Sequence, residues 1–198
     1  MQSEDSKRQR RKPRMLPKDR FARSIEHPKD FSSDTIDQEQ YFQLGEKPNG
    51  VYVLSVSSRF ILREDEKIHD YGRKVVAMKN ERFAKEKGHD PSPLKKYIGF
   101  YEIFEECANA CTDNNYNAVI RWVPENGLDA HFEVQLLPIG DGSAKQRKKS
   151  RRRARQILFD NKFGPEICRI AALDGDLKDA ISNLTHTLPP ANPVIGVS

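Results

Sequence analysis

Residues 117–137 read NAVIRWVPENGLDAHFEVQLL, and this stretch decides the fold class. Asn117–Val123 and Asp129–Leu137 are rich in β-branched and aromatic residues. Between them stands Pro124-Glu125-Asn126-Gly127, whose Asn-Gly accepts the positive φ of a tight hairpin turn. In the second strand Ala130, Phe132, Val134 and Leu136 alternate with Asp129, His131, Glu133 and Gln135. A period of two puts the first set on a buried sheet face and the second on an open one. The expectation is an antiparallel hairpin whose polar face is solvated, with Arg121 crossing to it in an ion pair.

Outward from the hairpin, Val51–Val56 reads as a strand after the Pro48-Asn49-Gly50 turn, with Phe60-Ile61-Leu62 extending it. Residues 64–87 carry Ile68, Tyr71, Val75, Met78 and Phe83 at helical spacing and stop at Gly88. Ser92 and Pro93 suit an N-cap and first helical position, so a second helix is expected over 94–111, with Tyr97, Ile98, Tyr101, Phe104 and Ala108 on one face. Beyond the hairpin, Ser143 and Gln146 have capping-box spacing. The helix they open has an apolar stripe only at Ala154, Ile157 and Leu158, which predicts anchoring at its C-terminal half and a start projecting into solvent. Gly164-Pro165 ends it, and shorter helices are expected over 166–173 and, with Asp176 as N-cap, over 177–188. The predicted class is α+β: a small antiparallel sheet, made of a strand near 51–56 and the hairpin 117–137, packed with four to five helices. Residues 1–35 lack hydrophobic periodicity and carry Pro13, Pro17 and Pro28, so they read as a disordered basic arm. A single domain over 36–188 and an extended tail over 189–198 complete the expected layout, which suits a chain of 198 residues.

Charge is partitioned along the chain. Nine basic residues lie in 1–23, among them Lys7, Arg8, Arg10, Arg11, Lys12 and Arg14, against three acidic ones, a net of +6. Residues 145–155, KQRKKSRRRAR, add Lys145, Arg147, Lys148, Lys149, Arg151, Arg152, Arg153 and Arg155 with no acid, a net of +8. Since the whole chain is +5, the remainder is −9. Clusters of this kind bind polyanions, because association relieves their mutual repulsion and releases condensed counterions. Neither cluster is interleaved with Trp, Phe or Leu on an opposite face, which argues against membrane adhesion. No run reaches the roughly 18 apolar residues of a membrane span, and no apolar stretch follows the basic start as in a secretory signal. Three cysteines, an odd number, point to a reducing, intracellular compartment: cytoplasm or nucleoid in a prokaryote, nucleus in a eukaryote.

The polar face of the second hairpin strand is the one constellation that suggests chemistry. His131-Phe132-Glu133 resembles a degenerate form of the His-hydrophobic-His metal site of rolling-circle replication and relaxase nucleases. Glu133 stands where those enzymes have their second His, and no Tyr follows Tyr116 to act as nucleophile. The strand also resembles a restriction-type nuclease core, with Glu133-Val134-Gln135 as the acid-x-Lys pair, Asp113 or Asp129 as another acid and Glu102 or Glu105 from a helix. There Gln135 replaces the Lys that would activate water. Cys107 and Cys111 lie one helical turn apart without a second ligand pair, and Asp174-Gly175-Asp176 lacks the later acids of a calcium loop. No Gly-rich phosphate loop occurs, and nothing calls for a cofactor or a metal.

Three functional readings follow. The first is a non-enzymatic nucleic-acid-binding accessory protein, for DNA or RNA, that grips phosphates through the arm and the basic helix. The second is a metal-dependent nuclease with Asp129, His131 and Glu133 at its site. The third is an adaptor whose acidic body binds a protein partner.

Overall fold

A computed structural model describes residues 19–32, 35–124 and 128–186. In chain order the strands are β1 (Arg20–His27), β2 (Phe31–Ser32), β3 (Thr35–Ile36), β4 (Gly45–Lys47), β5 (Val51–Ser58), β6 (Lys96–Phe104), β7 (Tyr116–Trp122), β8 (His131–Pro138) and β9 (Phe163–Ile167). The helices are α1 (Gln38–Tyr41), α2 (Asp65–Lys87), α3 (Glu105–Asn109), α4 (Ala144–Asp160), α5 (Arg169–Ala172) and α6 (Lys178–His186). Seven strands form one antiparallel sheet in the order β7-β8-β5-β1-β6-β9, with β4 added to β5, while β2 and β3 pair separately. The fold is α+β, as the sequence pattern implies, on a wider sheet than expected.

The expected hairpin forms, with Arg121 opposite Glu133 and Val119 opposite Gln135. Its turn at 125–127 lies outside the described residues. Phe132, Val134 and Leu136 are buried and meet Phe21, Leu54 and Val56 in the main core, which also receives Ala154 and Leu158 from α4. A smaller cluster of Ala22, Ile68 and Phe100 seats α2. Consecutive strand residues face opposite ways, so Phe21 and Ala22 put α4 and α2 on opposite faces of the sheet. Gly88, at φ 74°, ends α2 by donating its N–H to the Ala84 carbonyl.

Four local expectations are corrected. Residues 94–111 are not a helix: β6 runs through Lys96–Phe104, and only Glu105–Asn109 are helical. Every residue from Tyr97 to Ile103 is buried, and a strand covered on both faces shows a continuous apolar run that mimics helical spacing. Gly99 is required there, since a Cβ would stand 2.1 Å from the Glu166 carbonyl oxygen of β9. Residues 20–27 belong to the sheet rather than to an arm, and β1 lies between β5 and β6. Arg23 is buried against backbone carbonyls and Glu26 against Lys79, and these charges in the strand hid its apolar alternation. The body therefore extends N-terminally of residue 36, and Lys7 to Arg14 lie outside the described residues, as does the 189–198 tail. Residues 166–173, expected as one helix, form the end of β9 and the short α5. Helix α4 already ends at Asp160, so Gly164-Pro165 lie inside β9, and Asp174 rather than Asp176 caps the turn before α6 by accepting from the Asp176 N–H. Phe60-Ile61-Leu62 turn away from β5 rather than extending it.

Candidate functional site

Helix α4 begins with the expected capping box: the Ser143 hydroxyl accepts from the Gln146 N–H, and the Gln146 side chain accepts from the Ser143 N–H. Its inner stripe is Arg147, Ser150, Arg151, Ala154 and Leu158. Ser150 is buried, and its hydroxyl accepts from the Asn115 side-chain amide at 2.9 Å. The basic start does not project from the body, in contrast to the sequence expectation. Arg147 donates to the Gly140 carbonyl at 3.0 Å, and the Arg151 guanidinium lies 4.1 Å from the centroid of the Tyr52 ring. Both side chains lay their stems along the body, as long cationic residues do. Arg153 donates to the Thr112 carbonyl, and Arg152 and Arg155 stand 3.9 and 3.6 Å from Glu39.

Three cations remain. Lys145, Lys148 and Lys149 are exposed and have no carboxylate or carbonyl partner among the described residues. With Arg152 they stand at i, i+3, i+4 and i+7, one outward face of the helix. At 1.5 Å rise per residue that face is about 10 Å long. Of the eight cations in the cluster, the structure thus divides those that hold the helix down from those that a ligand can reach.

The polar face of β8 is buried rather than solvated. Glu133 is 3% exposed and Gln135 8%. Lys47 of β4 places its ammonium 2.7 Å from both Glu133 oxygens, and the Gln135 amide donates to Oε2 at 2.7 Å. The cation that reaches Glu133 is therefore Lys47, while Arg121 is exposed beside it. A buried carboxylate needs such a partner, since an isolated one would neutralise instead. A metal at Glu133 would have to displace the Lys47 ammonium.

The other nuclease candidates are dispersed. Glu102 is bound by Arg20 at 2.8 Å and Arg59 at 2.7 Å. The carboxylate of Asp113 accepts from the Asn115 and Tyr116 N–H groups. Burial pushes that carboxyl up, but those hydrogen bonds, the Ser150 hydroxyl and the Arg153 charge outweigh it and hold it below the usual range. Asp129 precedes β8 and gives its carbonyl to the Trp122 indole N–H. Among the described residues no group of three His, Cys, Asp or Glu side chains is placed to hold a metal.

Between α2 and this polar face lies a cleft of about 550 Å³. Ile68 packs on Ala22 and Lys79 pairs with Glu26, so α2 runs in the same direction as β1 below it. Tyr71, Val75 and Met78 line the cleft from the helix, followed by Arg82 and Lys85. Ser24, Ser55, Ser57, His131 and Glu133 form the floor. The His131 Nδ1 stands 2.9 Å from the Val123 carbonyl, so Nδ1 carries a proton and Nε2 is the ring nitrogen left for another partner.

Arg23 closes one side of the cleft. Strand β1 pairs with β5 only at Phe21–Ser58 and Ala22–Ser57, and β4 takes over at Val51–Val53. In the gap the Arg23 guanidinium donates to the carbonyls of Ser55 and Tyr41, while the Tyr41 hydroxyl donates to the Arg23 carbonyl at 2.6 Å. Burial holds the Tyr41 phenol well above its usual range, which keeps it a neutral donor. The Arg23 Nε is buried without a partner. Pattern reading missed this cleft because its floor comes from three strands and its roof from α2. The short Ser24, Ser55 and Ser57 were the available signal, since small polar side chains inside strands leave room.

No family model matches the chain, and no curated protein or solved structure shows significant similarity to it.

Proposed function

We propose that this protein is a non-enzymatic nucleic-acid-binding accessory factor that grips phosphates through the outward face of α4. The observation that carries the reading is the stripe of Lys145, Lys148 and Lys149, left without partners among the described residues on a helix that is otherwise tightly tied down. Ammonium groups gathered on one face of a rigid helix suit a run of phosphates. The −9 carried outside the two basic clusters opposes polyanions elsewhere and so restricts the contact to these clusters. Lys7, Arg8, Arg10, Arg11, Lys12 and Arg14 of the N-terminal segment add further cations of the same kind. Phosphate contacts position a protein without reading bases, so sequence preference is not part of the proposal. An intracellular setting is consistent with three free cysteines, all buried. Among the described residues no helix is long and apolar enough to cross a membrane.

The test is a salt series of binding to duplex DNA and to RNA, with the intact chain and with Lys145, Lys148 and Lys149 changed to Gln. For duplex DNA the slope of log affinity against log salt should fall in magnitude by about 2.7 when three phosphate contacts are removed. An unchanged slope would overturn the proposal. The Arg147→Gln and Arg151→Gln variants should lower stability more than they lower that slope, because those side chains face the body.

A further inference from the structure

The geometry points to the α2 cleft as a binding site for a small hydroxylated phosphate monoester of nucleotide size, separate from the α4 face. The cleft's volume of about 550 Å³ falls within the roughly 300–1,000 Å³ typical of small-molecule sites. Its floor is unusual for a sheet face against a helix, because polar side chains take the place of packed apolar ones. The hydroxyls of Ser24, Ser55 and Ser57 have no hydrogen-bond partner among the described residues, and each can donate and accept. Beside them are the Glu133 carboxylate and the Nε2 nitrogen of His131. Such a row of short donors and acceptors suits the hydroxyl groups of a sugar.

The second observation is Arg23. This side chain is 94% buried, since 6% of its surface is exposed, and it lines the cleft with its Nε unpartnered. The guanidinium is anchored on the Ser55 and Tyr41 carbonyls, so its contribution to the cleft is a fixed positive charge beneath the floor.

The wall grades along α2 from Tyr71, Val75 and Met78 to Arg82 and Lys85. Its apolar end suits a planar or aliphatic ring. At its other end Arg82 and Lys85 face Glu81, a net positive rim that suits a phosphate. Lys85 has no anionic partner among the described residues, and the Arg82–Glu86 pair is exposed on both sides and so easily exchanged for a ligand. A nucleoside monophosphate would use the wall from Met78 to Lys85, about 10 Å along the helix, whereas a sugar phosphate uses only the floor and the rim.

The test is calorimetric titration of the full chain with adenosine monophosphate, ribose 5-phosphate, adenosine and inorganic phosphate. The same titrations are run on Ser55→Leu, Lys85→Glu and the α4 triple Gln variant, with thermal unfolding to confirm that each variant is folded. Expected is saturable binding of one or both phosphate esters, tighter than inorganic phosphate, weakened about tenfold or more by Ser55→Leu and by Lys85→Glu. Adenosine monophosphate binding more tightly than ribose 5-phosphate assigns the apolar wall at Val75 and Met78 to the base, and equal binding assigns only the sugar and phosphate; both outcomes support the site. The α4 variant should bind the esters as the wild type does, whatever it does to DNA binding. No binding of either ester, binding no tighter than inorganic phosphate, or loss in the α4 variant with retention in Ser55→Leu would each overturn the inference.

Discussion

Lys79→Met should destabilise the protein by about 2–3 kcal/mol at neutral pH, and the loss should shrink as the pH falls. Glu26 is fully buried in β1, and its carboxylate is paired with Lys79. Lys29 stands 3.8 Å from the other oxygen, and Arg23 adds its charge. Removing one partner from a buried pair leaves a charge uncompensated, which typically costs about 3–5 kcal/mol. The expected value is lower because Lys29 and Arg23 stay and the Lys79 side chain is itself 36% exposed.

The pH dependence supplies the sharper test. Burial pushes the Glu26 carboxyl up, but Lys79, Lys29 and Arg23 together outweigh it and hold the group below its ordinary value. A carboxyl lowered on folding adds stability above its unfolded value, near 4.3, and loses it as the pH falls through the folded value. Without Lys79 burial dominates and the carboxyl moves up, so the charged form costs stability at neutral pH and protonation relieves it. Urea unfolding of wild type and variant, at neutral pH and near pH 4, measures both quantities. At this chain length the neutral-pH loss corresponds to about 4–12 °C in Tm. Adding Glu26→Gln to Lys79→Met should recover part of the loss, with a coupling above about 1 kcal/mol. An equal loss at both pH values, or a coupling below about 0.5 kcal/mol, would refute the reasoning.

Three further outcomes are expected. Gly72→Ala should destabilise by about 1–3 kcal/mol despite alanine's better helix propensity, because the new Cβ would sit 2.2 Å from the buried Tyr97 ring; chemical unfolding checks it, and a gain in stability would show that α2 stands further from β6. Leu158→Ala should cost about 2–5 kcal/mol, since this α4 side chain is 1% exposed in the main core; the salt slope for DNA should stay unchanged in the folded variant. Cys107, Cys111 and Cys168 should resist thiol reagents until unfolding, because all three are buried and burial pushes the Cys111 thiol to about 12. Timed labelling with and without denaturant decides this, and rapid labelling of the native protein would count against the packing of α3 on α4.

Elements whose own residues carry a local period or spacing were legible in the sequence. The β7–β8 hairpin, helix α2 and the capping box of α4 each carry a local periodicity or spacing that their final environment leaves intact. Strand β6 lacked that signal, being buried on both faces, and its apolar residues happened to fall at helical intervals. Strand β1 hid for the opposite reason, since its buried Arg23 and Glu26 look like surface residues until their partners are known. Charge followed the same division. The sequence alone determined that +8 lies between residues 145 and 155 on a chain of +5. Only the tertiary structure decided that Arg147 and Arg151 turn inward while Lys145, Lys148 and Lys149 stay exposed, and that the polar face of β8 is the floor of a cleft. Composition and period are properties of neighbouring residues along the chain. Whether a cation meets a ring, a carbonyl or open solvent depends on strands and helices brought together from distant positions.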